Sequence, residues 1–241
     1  MSLSTRRIRA ITRKEVREYR RKKSVIVTTA VFPLIFLVQP LAIVFVAPSS
    51  SADTLGQFHL LLYMLAIPAM VPAYLAAYSV VGEREQGTLE PILTTPVGRE
   101  EFLLGKALAA LLPSVVIAYL VYVFFLACVA LFAQAAVASA VVRPSDILAQ
   151  VVFTPLLACW SIWVGTAIST RTGDARVAQQ LGLLGSLPAV LMTSLIAFNV
   201  IPVSLGLGIG LGVLLLVLDG GGWRIVSALF DRERLVTGSG S

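Results

Sequence analysis

The placement of charged residues constrains this chain more than any other feature. Charge is nearly absent from four long runs: 24–82, in which Asp53 is the only charged residue, 107–142, 147–170 and 177–218. A helix needs about 20 apolar residues to cross the ~30 Å hydrocarbon core of a bilayer. The runs are therefore long enough to cross a membrane several times. Overall, 57% of the residues are hydrophobic and 13% are charged, a balance that soluble domains do not have.

These runs predict an all-α integral membrane protein with six transmembrane helices. The run 177–218 holds two spans with a turn at 199–202, and 107–142 holds one span and a short surface piece. The predicted spans are 24–47, 59–81, 105–131, 148–169, 182–198 and 203–219. They form a transmembrane domain over 24–219, between an N-terminal segment 1–23 and a tail 220–241.

Positive charge predicts the orientation of the spans. Ten of the 19 Lys and Arg residues precede residue 24, and with six spans only Arg143 falls on the side opposite the N-terminus. By the positive-inside rule, both termini are expected in the cytoplasm. The net charge of +6 is thereby explained as a topology signal beside anionic lipid, and nucleic-acid binding is not expected.

Residues 6–23 have the pattern of a short basic amphipathic helix. Ile8, Ile11, Val16 and Tyr19 fall near one face, and Arg or Lys covers the rest. Such a helix ahead of a first span is expected to lie in the membrane interface. A charged tail with no role beyond orientation is the alternative.

The longest polar connection, 82–104, follows the second span. Gly82 and Gly87 allow the chain to turn out of the span, and Leu89 and Leu93 can line one side of a short helix. A short amphipathic helix held below the membrane has little to bury its apolar side against. The residues therefore favour a soluble partner at this loop.

The same loop resembles the signature of ABC-2 type transporter permeases. The resemblance rests on Glu83-x-Glu85-x-Gly87-Thr88-Leu89-Glu90, Leu93-x-x-Pro96-Val97-x-Arg99-x-Glu101 and Gly105-Lys106. It extends to Lys14-Glu15 and Arg20-Arg21-Lys22-Lys23 before the first span, and to 229–235 in the tail. Pro91 departs from the pattern, although a proline fits the first turn of a helix.

The resemblance implies the membrane half of an ATP-driven exporter, with the type V exporter-like transmembrane fold. Two permease subunits, identical or related, would form the pathway, and two cytoplasmic ATP-binding subunits would hold ATP and Mg. The chain itself would need no cofactor. The loop 83–101 would contain the coupling helix, and the N-terminal helix, with Lys14, Glu15 and Arg20, would lean on the ATP-binding subunit. The residues carried over for coupling are Glu83, Glu85, Gly87, Thr88, Leu89, Glu90, Leu93 and Arg99. The location implied is the plasma membrane of a prokaryotic cell.

Other functional classes leave few signs in the sequence. The segment 98–106 has the wrong spacing for a P-loop, and Ala107 stands where Ser or Thr should bind magnesium. His59 is expected at the external mouth of the second span, and no ionisable residue is expected deep in a span, which disfavours an ion-coupled carrier. A membrane scaffold that recruits a cytoplasmic partner without transport is the main alternative, and the carrier is the weaker one.

Overall fold

The structure is a computed structural model, and it describes residues 3–85, 87 and 98–229. The regular structure in these residues is helical. The helices are α1 (Thr5–Tyr19), α2 (Lys23–Val46), α3 (Ala52–Leu55), α4 (Leu60–Tyr63), α5 (Ala66–Ser79), α6 (Val81–Glu85), α7 (Arg99–Phe132), α8 (Ala135–Val141), α9 (Pro144–Arg171), α10 (Ala175–Ala197) and α11 (Leu205–Leu229).

Six helical segments in the described part of the chain are long and apolar enough to cross a membrane, which confirms the predicted number. They are Lys23–Val46, Leu60–Glu83, Arg99–Phe132, Pro144–Arg171, Ala175–Ala197 and Leu205–Ala228. We call the second of them, Leu60–Glu83, the central span. Because the number is even, α1 and the last turn of α11 lie at the same end of the bundle, called the α1 end below.

The central span is surrounded by α2, α7, α9 and α10. Two glycines allow α9 and α10 to pack closely against the central span. A Cβ added at Gly165 of α9 would lie 2.5 Å from the Ala73 carbonyl oxygen. A Cβ added at Gly182 of α10 would lie 2.9 Å from Ala77 Cβ. Small residues on facing helices allow the backbones to approach closely, which is a main source of attraction between helices in lipid.

The turn before the last helix lies where the sequence predicts it. Helix α10 ends at Ala197, and Asn199 takes a φ of 56°, a left-handed conformation that asparagine tolerates better than most residues. The chain then enters α11, which packs chiefly on α9. Gly222 lies directly against Trp163, and the Trp163 and Trp223 rings meet edge to face with centroids 5.6 Å apart.

One expectation about the last helix is wrong. We expected no ionisable side chain deep in a span, but α11 continues ten residues beyond Asp219, to Leu229. The Asp219 Oδ1 atom is buried and has no hydrogen-bond partner among the residues that the structure describes. The sequence placed the end of the span at this first charge, whereas packing on Trp163 continues the helix past it.

Candidate functional site

The N-terminal helix is seated on the start of α7. The contact is close because α7 has a glycine there: a Cβ added at Gly105 would lie 2.7 Å from Ile11 Cβ. The Thr12 hydroxyl donates a hydrogen bond to the Gly105 carbonyl oxygen over 3.1 Å. A larger residue at 105 would push the two helices apart, so glycine here serves packing.

Glu101 ties the beginning of α1 to the beginning of α7. Its Oε1 accepts from the Ser4 backbone N–H at 2.7 Å, and its Oε2 accepts from the Gly98 N–H at 3.0 Å. The Arg7 guanidinium lies 3.1 Å from Oε2. The bond to Gly98 is the reciprocal half of a capping box, which satisfies a free N–H at the helix start. One buried carboxylate thus fixes two helix ends that are nearly 100 residues apart in sequence.

A second cluster, which we call the Lys106 cluster (Lys14, Glu15, Glu83 and Lys106), joins α1, α7 and the central span. The Lys106 ammonium lies 3.0 Å from Glu15 Oε1, 3.0 Å from Glu83 Oε1 and 2.7 Å from the Ser79 carbonyl oxygen. Lys14 reaches the same Glu83 oxygen at 2.7 Å and Glu15 Oε1 at 3.2 Å. The Lys106 side chain is only 2% exposed, so this ammonium depends on its partners for solvation.

The two members of the Lys106 cluster on α1 show how burial and pairing compete. Burial raises the pKa of the Glu15 carboxyl, against the Lys106 and Lys14 ammoniums, which lower it. Burial also disfavours the charged Lys14, but Glu15 and Glu83 outweigh it and raise the pKa of Lys14. Glu15 is thus the carboxylate of α1 that depends most on its neighbours for its charge. Loss of either lysine would favour its protonation.

The end of the central span is also fixed to α9 and α10. The backbone N–H groups of Val80 and Val81 both donate to the buried Ser169 hydroxyl of α9 at 3.0 Å, where α5 gives way to α6. Glu85 Oε1 accepts from the Ala175 N–H at 2.8 Å, at the first residue of α10. Gly87 follows with a φ of 65°, a conformation in which a side chain would be strained.

The structure separates the predicted coupling residues into groups. Glu83 and Glu85 hold the end of the central span, Gly87 forms the turn, and the Arg99 Nε atom is buried at the start of α7 without a hydrogen-bond partner in the described residues. Thr88, Leu89, Glu90 and Leu93 lie outside the described residues. On α1, Lys14 and Glu15 join the Lys106 cluster, whereas Arg20 is exposed at the end of the helix.

Sequence reasoning missed the residues that hold this arrangement together. Glu101 and Lys106 were part of the motif but received no role, and Ser169 was not selected at all. Lys106 is the second residue of the predicted span 105–131, where a lysine side chain can reach the membrane surface, so its position did not predict a buried ion pair. No signal identified which carboxylates it would meet.

The opposite end of the bundle has a buried contact between a histidine and an aspartate. His59 Nδ1 lies 2.9 Å from Asp146 Oδ1 and 3.0 Å from Oδ2, and Asp146 is 1% exposed. The His59 backbone N–H also donates to the Ala197 carbonyl oxygen at 2.8 Å. His59 therefore fixes the beginning of the central span to α9 and α10. The sequence had predicted only that His59 lies at the external mouth of the second span, and it did not predict this contact with Asp146.

These contacts join helices to one another. In the described part of the chain, no group of three or more His, Cys, Asp or Glu side chains could hold a metal ion. The charged side chains of the site instead connect helix ends at both boundaries of the central span. The fold and the site thus define a multi-pass helical membrane protein in which the described residues on either side of the polar loop contact α1, α7, α9 and α10.

Comparison with known families gives the class a name. The family model described as "ABC-2 family transporter protein" matches residues 9–215, so the chain belongs to that family. This confirms the resemblance seen in the polar loop, and it makes the chain a component of membrane transport. A search of curated proteins finds no match.

Proposed function

We propose that this chain is the permease subunit of an ATP-driven exporter of the ABC-2 type. Two permease subunits form the pathway, and the loop 83–101 of each docks on a cytoplasmic ATP-binding subunit that hydrolyses ATP. The α1 end of the bundle then faces the cytoplasm of a prokaryotic cell. Family membership supports the transport role, and the anchored ends of the loop support the coupling role.

The observation that carries the coupling role is the double anchoring of the loop. At one end, Glu83 and Glu85 connect the central span to α1, α7 and α10. At the other end, Glu101 connects α7 to α1. A push on the loop therefore moves several helices as a unit, because buried ion pairs resist separation.

Within this proposal the residues divide into two roles. Leu89 and Leu93 provide the apolar contact with the ATP-binding subunit, with Thr88, Glu90 and Arg99 at its polar edge. Glu83, Glu85, Lys14 and Glu15 transmit the motion to the bundle. Gly87 provides the bend between the two. Docking and transmission can then be separated by mutation.

The test is co-purification of the full chain with its ATP-binding subunit, followed by ATP hydrolysis with and without the chain. We expect Leu89→Ala to weaken the complex. Glu85→Ala should leave the complex intact but abolish the effect of the chain on hydrolysis, since the first turn of α10 loses its contact with the loop. Glu100→Ala is the matched control, because both glutamates are exposed but the Glu100 side chain forms no ion pair within the described residues.

Other outcomes identify the competing functions. A stable complex that is indifferent to ATP in wild type and in all variants would indicate a membrane scaffold. Transport by the chain alone in vesicles would indicate an ion-coupled carrier, for which Asp219 in α11 is the candidate ion site.

A further inference from the structure

A second feature lies beside α1, away from the Lys106 cluster. An apolar cavity of about 470 Å³ is bounded by the end of α1, by α2, by α7 and by Leu75 of the central span. Its walls include Val25 and Pro33 of α2 and Ile117 of α7, and it opens between Ile26 and Leu34, which are about half exposed. A cavity that opens on the apolar outer surface of a membrane protein is accessible to lipid.

Two of the residues in the walls of this apolar cavity carry a buried hydroxyl group without a partner. These residues are Tyr19 and Thr29, and neither the Tyr19 hydroxyl nor Thr29 Oγ1 has a hydrogen-bond partner among the residues that the structure describes. Buried polar atoms are nearly always hydrogen-bonded, so a pair of orphans in one cavity calls for an occupant with acceptor oxygens. Burial raises the pKa of Tyr19, and its hydroxyl therefore remains a donor at neutral pH.

Positive charge is concentrated at one end of the cavity. Arg20 lines it, is exposed, and forms no ion pair with any residue in the described part of the chain. It begins the run 20–23, in which every residue is Arg or Lys. Each basic residue near a bilayer surface attracts anionic lipid by about 1 kcal/mol. Apolar walls, two hydroxyl donors and a cation are thus arranged along a single cavity.

We propose that this cavity binds one anionic phospholipid from the leaflet at the α1 end. One acyl chain lies between α2 and α7, the phosphate group binds Arg20, and the Tyr19 and Thr29 hydroxyls donate to lipid oxygens. Because Val16 and Tyr19 are on the same helix as Glu15, the bound lipid also stabilises the packing of α1 against α7. Its influence on coupling rests on the proposed function, whereas the binding itself does not.

The test is a lipid titration of the delipidated full-length chain in detergent, with bound lipid counted by native mass spectrometry. Phosphatidylglycerol and phosphatidylcholine with identical acyl chains are compared. We expect phosphatidylglycerol to bind about fivefold more tightly to the wild type. Arg20→Gln should remove this preference and weaken phosphatidylcholine less than phosphatidylglycerol, because the choline group already neutralises the phosphate of phosphatidylcholine. Arg9→Gln is the matched control, since Arg9 is on the same helix but does not line the cavity.

A second variant tests the hydroxyls separately from the charge. Tyr19→Phe with Thr29→Val keeps the shape of the walls and removes both donors. The affinity for both lipids should therefore fall by about fivefold or more. Equal binding of the two lipids by the wild type would overturn the proposal. So would an equal loss of preference in Arg9→Gln and Arg20→Gln, which would show attraction to the whole basic helix. Because no ATP-binding subunit is present, a failure of coupling would not affect this result.

Discussion

The central span and the last helix are both apolar enough to cross a membrane, yet they are used in opposite ways. In the most apolar 18-residue stretch of each, 89% of the residues are buried in the central span and 6% in α11. The central span is largely covered by its neighbours and is fixed by buried polar contacts at both ends. Helix α11 packs on α9 and exposes most of its surface.

The glycines of the two regions explain much of this difference. Gly165 and Gly182 lie where a Cβ would collide with the central span, so they determine how closely α9 and α10 approach it. In α11, a Cβ at Gly206, Gly208, Gly210 or Gly212 would meet nothing within 4 Å. The same residue type is therefore a packing requirement in one region and an open face in the other. An open face of this kind is free for lipid or for another subunit.

The largest effect is expected from Lys106, at the α1 end of the central span. Lys106→Met leaves the half-exposed Lys14 to pair with both buried carboxylates, Glu15 and Glu83, and it should lower the free energy of unfolding by about 3 kcal/mol. The measurement is an unfolding titration with SDS in mixed micelles, followed by circular dichroism. Lys23→Met is the matched control, because Lys23 is exposed. Similar losses in both variants would mean that the ion pairs of the Lys106 cluster do not fix the central span.

The glycine comparison is tested by two identical substitutions. Gly165→Ala places a methyl group 2.5 Å from the Ala73 carbonyl oxygen and should cost about 1–3 kcal/mol, because the helices must separate. Gly208→Ala has open space around it and should cost nothing, since alanine favours helix by about 1 kcal/mol over glycine. The same SDS titration measures both. A larger loss for Gly208→Ala would reverse the comparison.

The opposite end of the central span is tested by Asp146→Asn. The amide keeps the shape but gives His59 a weaker partner, and we expect a loss of about 1–3 kcal/mol. Asp53→Asn serves as control because Asp53 is exposed on α3. Hydrogen exchange should show faster opening at the beginning of the central span and no change in α11. If exchange increases only in α11, His59 does not anchor the span.

The smallest effect is expected at the start of α10. Asp174 accepts hydrogen bonds from the Arg176 and Val177 N–H groups at 2.7 and 3.0 Å, and these bonds lower the pKa of its carboxyl. A lowered pKa means that the carboxylate stabilises the helix at neutral pH. That contribution disappears as the pH falls through the folded-state pKa, below the ordinary value of about 3.9.

Hydrogen exchange in the first turn of α10 measures this contribution. Asp174→Asn should accelerate exchange near neutral pH and make no difference at a pH well below 3.9, where the wild-type carboxyl is also protonated. Equal acceleration at both pH values would show that the charge of Asp174 is not the cause.

Much of the fold could be predicted from the sequence because lipid imposes a simple requirement. Four charge-poor runs predicted six spans, the structure has six helical segments of sufficient length, and the turn near Asn199 lies at the predicted place. The N-terminal helix was expected over 6–23 and is found at Thr5–Tyr19. A pattern of this kind needs only local information, since each span must satisfy its own backbone hydrogen bonds in lipid.

The candidate site was predicted in part. The loop, the N-terminal helix and Glu83, Glu85 and Gly87 were selected, but their contacts were not. These contacts join residues 23 to 91 positions apart: Lys106 with Glu15 and Glu83, the Val80 and Val81 N–H groups that donate to Ser169, and His59 with Asp146. Periodicity carries no information about such distances, because it describes one helix at a time.

By itself, the sequence determined that this chain has six membrane helices, a basic N-terminal helix and the polar loop of an ABC-2 permease. Length, apolarity and charge are properties of each segment alone, and lipid selects on them directly. Only the tertiary structure decided that the second span is the centre and the sixth lies outside, since the two are equally apolar. That choice depends on which surfaces fit closely and which buried charges find partners.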